Sequence, residues 1–141
     1  MSGLVIKGLS AGYGPIRVLQ NVDLEAPAGE ITVVVGPNGA GKTTLLKAVS
    51  GLIAREGTVL LDGEPLPLEP SAIVSRGLAQ VAEGRQLFPQ MTVRENLELG
   101  GYLLARGERG ARLDRVFEFF PKLAQRREQL AMWKARGKAA A

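Results

Sequence analysis

The octapeptide Gly36-Pro37-Asn38-Gly39-Ala40-Gly41-Lys42-Thr43 follows directly on the run Ile31-Thr32-Val33-Val34-Val35. The branched apolar run suits a strand buried on both faces. The octapeptide fits G-x-x-x-x-G-K-[ST], a pattern with a mechanical reason for its spacing. Glycines let backbone N–H groups turn inward around a phosphate, the helix that follows presents the positive end of its dipole, and the lysine adds a point charge. Asn38 and Gly39 both tolerate the positive φ such a nest requires. The candidate ligands are therefore Gly36, Pro37, Asn38, Gly39, Ala40, Gly41, Lys42 and Thr43, with the Thr43 hydroxyl on Mg²⁺ and Thr44 placed for a further phosphate contact. Chance would produce the pattern in fewer than about one chain of this composition in 100. The spacing implies a nucleoside triphosphate site, against the plain alternative of an ordinary glycine-rich strand–helix loop.

Composition narrows the chemistry. The 141 residues include no Cys and no His, which excludes disulfides, thiolate metal sites, Cys nucleophiles and imidazole acid–base catalysis. The net charge of +4 is uneven. Residues 1–105 hold 8 Lys/Arg against 10 Asp/Glu, whereas residues 106–141 hold 10 against 4. A basic surplus confined to one end, without interleaved aromatics, argues against nucleic-acid binding. The first residues show no basic segment followed by an apolar stretch, as a secretory signal would. No 18-residue apolar window occurs, so membrane association would come through a partner.

Periodicity places the remaining elements. Leu4–Lys7 reads as a short strand closed by Gly8, Gly12–Pro15 as a loop, and Arg17–Glu25 as a second strand. A helix is expected from Lys42 to a stop at Gly51. Strands are expected at Gly57–Leu61 and Gly77–Val81, and between them Ser71 should cap a short helix through Arg76. Thr92 and Glu95 have the spacing of a capping box for a helix from Val93 to about Leu99. Helical periodicity resumes over Arg112–Phe119 and, after Pro121, over Lys122–Leu130.

Residues 4–131 resemble the ATP-binding subunit of ABC transporters. The resemblance rests on Gly12-Tyr13-Gly14, on the phosphate loop continued as GPNGAGKTTLLKAVSGL, and on the stretch Val81-Ala82-Glu83-Gly84-Arg85-Gln86-Leu87-Phe88-Pro89-Gln90-Met91-Thr92-Val93-Arg94-Glu95-Asn96-Leu97. The form Glu-Gly-Arg-x-x-Phe-Pro is similar to the branch that imports branched-chain amino acids, as is Phe120-Pro121-Lys122-Leu123. The resemblance implies an α/β fold of the P-loop NTPase, ABC ATPase type, with an antiparallel β subdomain and the start of a helical subdomain around an incomplete core. It would divide into a β-rich nucleotide-binding part (1–90), a helical part (91–131) and a patternless tail (132–141). ATP and Mg²⁺ are the implied cofactors. Tyr13 would stack on adenine, although a glycine-flanked Tyr can equally be a surface residue. Lys42 and Glu83 would be the catalytic residues. Glu83 stands where most of the family has a Gln that coordinates Mg²⁺ and water; a solvated loop carboxylate is its alternative. Gln80 lies inside the expected strand instead.

The same resemblance implies partners. Residues 84–92, with Leu87, Phe88 and Met91, would face inner-membrane permease subunits, or else cover the chain's own helical part. A second ATP-binding subunit, identical or different, would complete the site at the cytoplasmic face of the inner membrane. The family's Leu-Ser-Gly-Gly signature, the hydrophobic strand ending in Asp and the general-base Glu, and its His do not occur between residues 1 and 141. The expectation is thus MgATP binding without turnover unless another polypeptide completes the site. Unpaired edges beside Ile31–Val35 would leave the chain marginally soluble or partly molten. A frameshift or truncation after Ala131 would account for the change of pattern there. Two readings compete with an import ATPase subunit: a catalytically inactive MgATP-binding or regulatory fragment, and another P-loop or non-transport ABC ATPase.

Overall fold

The computed structural model describes residues 3–84 and 86–131. The expected tail 132–141 and Arg85 of the 84–92 loop lie outside the described residues. The chain divides into two compact units, Met1–Val81 and Ala82–Ala141.

The first unit is built on a four-stranded antiparallel sheet of order β2-β1-β3-β4, with β1 Leu4–Tyr13, β2 Ile16–Ala26, β3 Arg55–Leu61 and β4 Glu64–Pro65. β1 and β2 form a hairpin closed at Gly14-Pro15. The first strand does not stop at Gly8, as its sequence suggests, because the pairing absorbs that glycine as an irregularity. Register shifts fall between Ile6 and Leu9 against β2, and between Lys7 and Ser10 against β3. The bulged backbone groups find side-chain partners. The Gly8 N–H donates to Asp23 Oδ1 at 2.6 Å, and the Asn21 N–H donates to Ser10 Oγ at 3.0 Å.

Helix α1 (Lys42–Val49) packs on this sheet and α2 (Pro70–Ser75) adds one core residue. The core joins Ile6, Leu9 and Ala11 of β1 to Leu19 of β2, Val59 of β3, Leu45, Ala48 and Val49 of α1, Leu66 and Ile73. α1 ends in a Schellman turn. The Leu52 N–H bonds to the Lys47 carbonyl at 2.9 Å and the Gly51 N–H to the Ala48 carbonyl at 3.2 Å. Gly51 has φ +72, and a Cβ there would run into the backbone carbonyl oxygen of Leu68, so glycine is needed on both counts. The cap of α2 is Glu69 and not Ser71; Pro70 occupies the first helical turn, where its missing N–H costs nothing.

Two expected strands do not form. Ile31–Val35 is irregular backbone, with Ile31 94% and Val35 84% exposed. Gly77–Val81 is likewise outside any strand. Both runs have the composition of buried strands, but no described residue pairs with either, and a strand exists only when a neighbour accepts its hydrogen bonds.

The second unit contains α3 (Val93–Gly100), α4 (Arg109–Phe119) and α5 (Pro121–Ala124). α5 is shorter than the periodicity of Lys122–Leu130 suggests, because residues 127–129 are used to close the N-terminus of α3. The Val93 N–H donates to the Gln129 carbonyl and the Arg94 N–H to that of Arg127, each at 2.9 Å. The capping box forms as its spacing predicts. Thr92 Oγ1 accepts from the Glu95 N–H at 3.1 Å, and Glu95 Oε2 accepts from the Thr92 N–H at 2.7 Å and its hydroxyl at 2.9 Å. The Thr92 N–H, and then its hydroxyl, hold the Glu95 carboxyl below the ordinary carboxylate range. A depressed folded pKa gives stability that is present above the unfolded value near 4.3 and is lost as pH falls through the folded value. Acidification below about pH 4 should therefore loosen α3. Amide exchange over α3, compared between neutral and acid solution, should show this in the native chain and a flatter response in Glu95→Gln. Among the described residues no helix is long and apolar enough to cross a membrane.

Candidate nucleotide-binding site

The loop between residues 36 and 41 keeps the shape its glycines allow. Gly39 and Gly41 have φ +86 and +94, and the Ala40 N–H closes a turn on the Pro37 carbonyl at 3.2 Å. Gly41 is the N-cap of α1 and lies against β2. A Cβ at this position would meet Leu19 Cδ2 at 2.8 Å and Val18 Cγ1 at 3.4 Å. The absence of a side chain at residue 41 thus lets the start of the helix sit directly on the hairpin.

Lys42 is the first residue of α1, and its ammonium turns back over the loop. It donates to the Gly36 carbonyl at 2.6 Å and the Pro37 carbonyl at 2.7 Å. Among the described residues no side chain caps this helix, so the first-turn N–H groups of Lys42, Thr43 and Thr44 have no side-chain acceptor. The contrast with α3 is direct. There, two carbonyls and the Thr92 hydroxyl use the corresponding donors. An N-terminus with unspent donors, a dipole and an adjacent cation is suited to an anion. These observations fit a nucleotide phosphate chain.

The threonines differ. Thr43 is exposed at the helix start, whereas Thr44 is 6% exposed and sits on the face that carries Leu45, Ala48 and Val49. Tyr13 ends β1 and is 43% exposed. Lys47 of α1 lies over its ring, with Nζ 5.6 Å from the centroid, a cation–π distance. The structure therefore brings Tyr13 to the same helix that carries the phosphate loop. Glu83 belongs to the second unit, exposed in the turn before Gly84, whose φ is +88.

The 84–92 loop is held by a residue its sequence did not single out. Asn96 Oδ1 accepts from the Phe88 N–H at 2.9 Å, and its Nδ2 donates to the carbonyls of Phe88 at 3.0 Å and Thr92 at 2.9 Å. Leu87 and Phe88 are more than half exposed. Leu87 borders a groove of about 500 Å³ with Val93, Leu97, Leu123 and Leu130. An Asn within a helix, where it is a poor former, was the available signal for such a staple. Lys47 and Arg55 give none, since each reads as a surface charge.

A glycine loop that delivers a lysine and free N–H groups at a helix start, beside a strand end bearing an aromatic, defines a phosphate-loop protein. The comparisons narrow the class. The family description "ABC transporter" matches residues 19–137, and the chain belongs to that family. It is 41% identical over 125 residues to the high-affinity branched-chain amino acid transport ATP-binding protein BraG of Pseudomonas aeruginosa, covering 87% of this chain and 54% of that protein. It is also 41% identical over 121 residues to the Fe(3+) ions import ATP-binding protein FbpC of Mesorhizobium japonicum, covering 84% and 32%. A solved structure of an ATP-binding subunit of an ABC transporter superposes with TM-score 0.78 at 30% identity, over 92% of this chain and 54% of that one. The chain thus spans about half the length of the first relative and a third of the second. Its fold, a partial ABC ATPase core with an antiparallel sheet and a few helices, is the one the family resemblance implies.

Proposed function

We propose that this chain binds MgATP and forms the nucleotide-binding part of an import ATPase subunit, with branched-chain amino acids as the transported class. The observation that carries the reading is the uncapped start of α1, with Lys42 turned over its loop. The Gly36–Gly41 backbone and the first-turn N–H groups would receive the phosphates, Lys42 would offset their charge, and the Thr43 hydroxyl would hold Mg²⁺. When bound, Mg²⁺ supplies charge neutralisation across the phosphates. Tyr13 offers its exposed face to the adenine ring. Glu83 is the proposed further ligand for Mg²⁺ and water, a role that rests on the resemblance of its stretch, and it shares the catalytic role with Lys42.

The substrate class rests on the Glu83-Gly84-Arg85 stretch and on the printed function of BraG; FbpC, equally identical, is named for Fe(3+) import. The 84–92 loop, with Phe88 exposed and fixed by Asn96, is the proposed contact with inner-membrane permease subunits. A second ATP-binding subunit would supply the signature residues that hydrolysis needs. The chain would then work peripherally at the cytoplasmic face of the inner membrane.

The test is equilibrium binding of ATP to the 141-residue chain with Mg²⁺ and with EDTA. Saturable binding that weakens without Mg²⁺, and weakens again in Thr43→Ala, is expected. Absence of ATP binding would overturn the reading. An ATPase measurement with and without a full-length ATP-binding partner separates an energising subunit from an inactive nucleotide binder, since only the former gains turnover.

A further inference from the structure

Arg55 opens β3, opposite Ala11 of β1. Its guanidinium ends spend all four N–H groups on carbonyls from two different places. Nη1 donates to Ala48 O at 2.8 Å and Val49 O at 3.0 Å, the last residues of α1. Nη2 donates to Leu66 O at 3.0 Å and Pro67 O at 2.9 Å, in the segment leading to α2. The planar fork fits this arrangement, since each terminal nitrogen carries two donors aimed apart. A cation at this end also complements the negative pole of the α1 dipole. Partial burial lowers the Arg55 pKa, as expected for a charge withdrawn from water.

The two ends of α1 are therefore treated in opposite ways. Its N-terminus carries no side-chain cap, which leaves its donors free, and it rests on the hairpin by packing at Gly41 and Leu45. Its C-terminus is fixed twice, by the Schellman turn at Gly51 and by Arg55. An eight-residue helix is a stiff rod of about 12 Å, so a displacement at one end is carried to the other.

We propose that Arg55 is a positioning residue of the nucleotide site: by clamping the last carbonyls of α1 to the 66–67 segment, it sets where the loop donors and Lys42 stand. The proposal rests on the MgATP reading above. It makes phosphate affinity depend on a side chain at the far end of the helix.

The test measures Kd for MgATP and for Mg-tripolyphosphate in the full chain, at a temperature where circular dichroism shows each variant folded. Arg55→Met should bind both ligands about tenfold more weakly, because misaligned charge-assisted donors lose strength together. Arg55→Lys, with one nitrogen in place of a fork, should fall between Arg55→Met and the native chain. Ile6→Val, a core change that removes none of the Arg55 hydrogen bonds, should lower the melting temperature and leave both Kd values unchanged. Native affinity in folded Arg55→Met, or equal losses in Ile6→Val, would overturn the proposal. So would failure of both Arg55 variants to fold, which would make Arg55 a residue of general stability. If the native chain binds neither ligand, the MgATP reading fails and this one with it; if only the Arg55 effect is absent, the MgATP reading stands.

Discussion

Lys42→Met should weaken MgATP binding by about 100-fold or more, equivalent to about 2.7 kcal/mol, while leaving the melting curve nearly unchanged. The two halves of this expectation come from the same geometry. The ammonium is held by the Gly36 and Pro37 carbonyls at the rim of the loop, so its charge stands where the phosphates would lie. Removing it leaves a polyanion facing neutral N–H donors and a helix dipole, whose effect is only about 0.3–1 kcal/mol at an exposed site. The folded state loses little, because the loop residues 36–40 are exposed and water can replace the ammonium at both carbonyls. Lys42→Arg should not restore binding. The site holds a compact cation between two carbonyls 2.6 and 2.7 Å away, and a planar guanidinium has a different shape and donor geometry. Titration calorimetry with MgATP checks the first half and a thermal melt the second. Native-like affinity in Lys42→Met would remove Lys42 from the site.

The parts of this fold that could be read from sequence are those decided within a few residues. The turn at Gly39 and Gly41, the start of α1 at Lys42 and the Thr92–Glu95 box all follow from local backbone sterics and short-range hydrogen bonds. The errors share a cause of the opposite kind. Ile31–Val35 has stronger strand composition than β1, yet β1 is a strand because β2 and β3 flank it. Gly8 reads as a terminus because its neighbours in space, Asp23 and Gly57, are distant in sequence. The site divides along the same line. Lys42 and Thr43 are set by the loop itself. Lys47 over Tyr13 and Arg55 on the α1 carbonyls depend on a hairpin and a third strand folding against the helix.

Gly57→Ala should cost the first unit a large part of its stability, because three penalties coincide there. Gly57 has φ +94, a conformation that costs an L-residue about 1–2 kcal/mol. Its added Cβ would lie 2.7 Å from Gly8 C and 2.8 Å from Lys7 O. These are backbone atoms of the neighbouring strand, so no side chain can rotate to make room. Relief requires β1 and β3 to separate at the register shift between Lys7 and Ser10, between the core residues Ile6 and Leu9. Separation there opens the core as well, and core disruption costs about 2–5 kcal/mol. The sum, about 3–7 kcal/mol, is comparable to the lower end of the about 5–15 kcal/mol that holds a typical domain folded. Gly29→Ala isolates the first penalty. Its φ is +79, and its Cβ would meet nothing within 4 Å, so only the backbone cost of about 1–2 kcal/mol remains. Urea unfolding of the two variants beside the native chain should give a small shift for Gly29→Ala and loss of the folded baseline for Gly57→Ala. Equal midpoints would show that the β1–β3 pairing at Gly8 yields easily, and that the sheet owes little to the close approach of these two glycines.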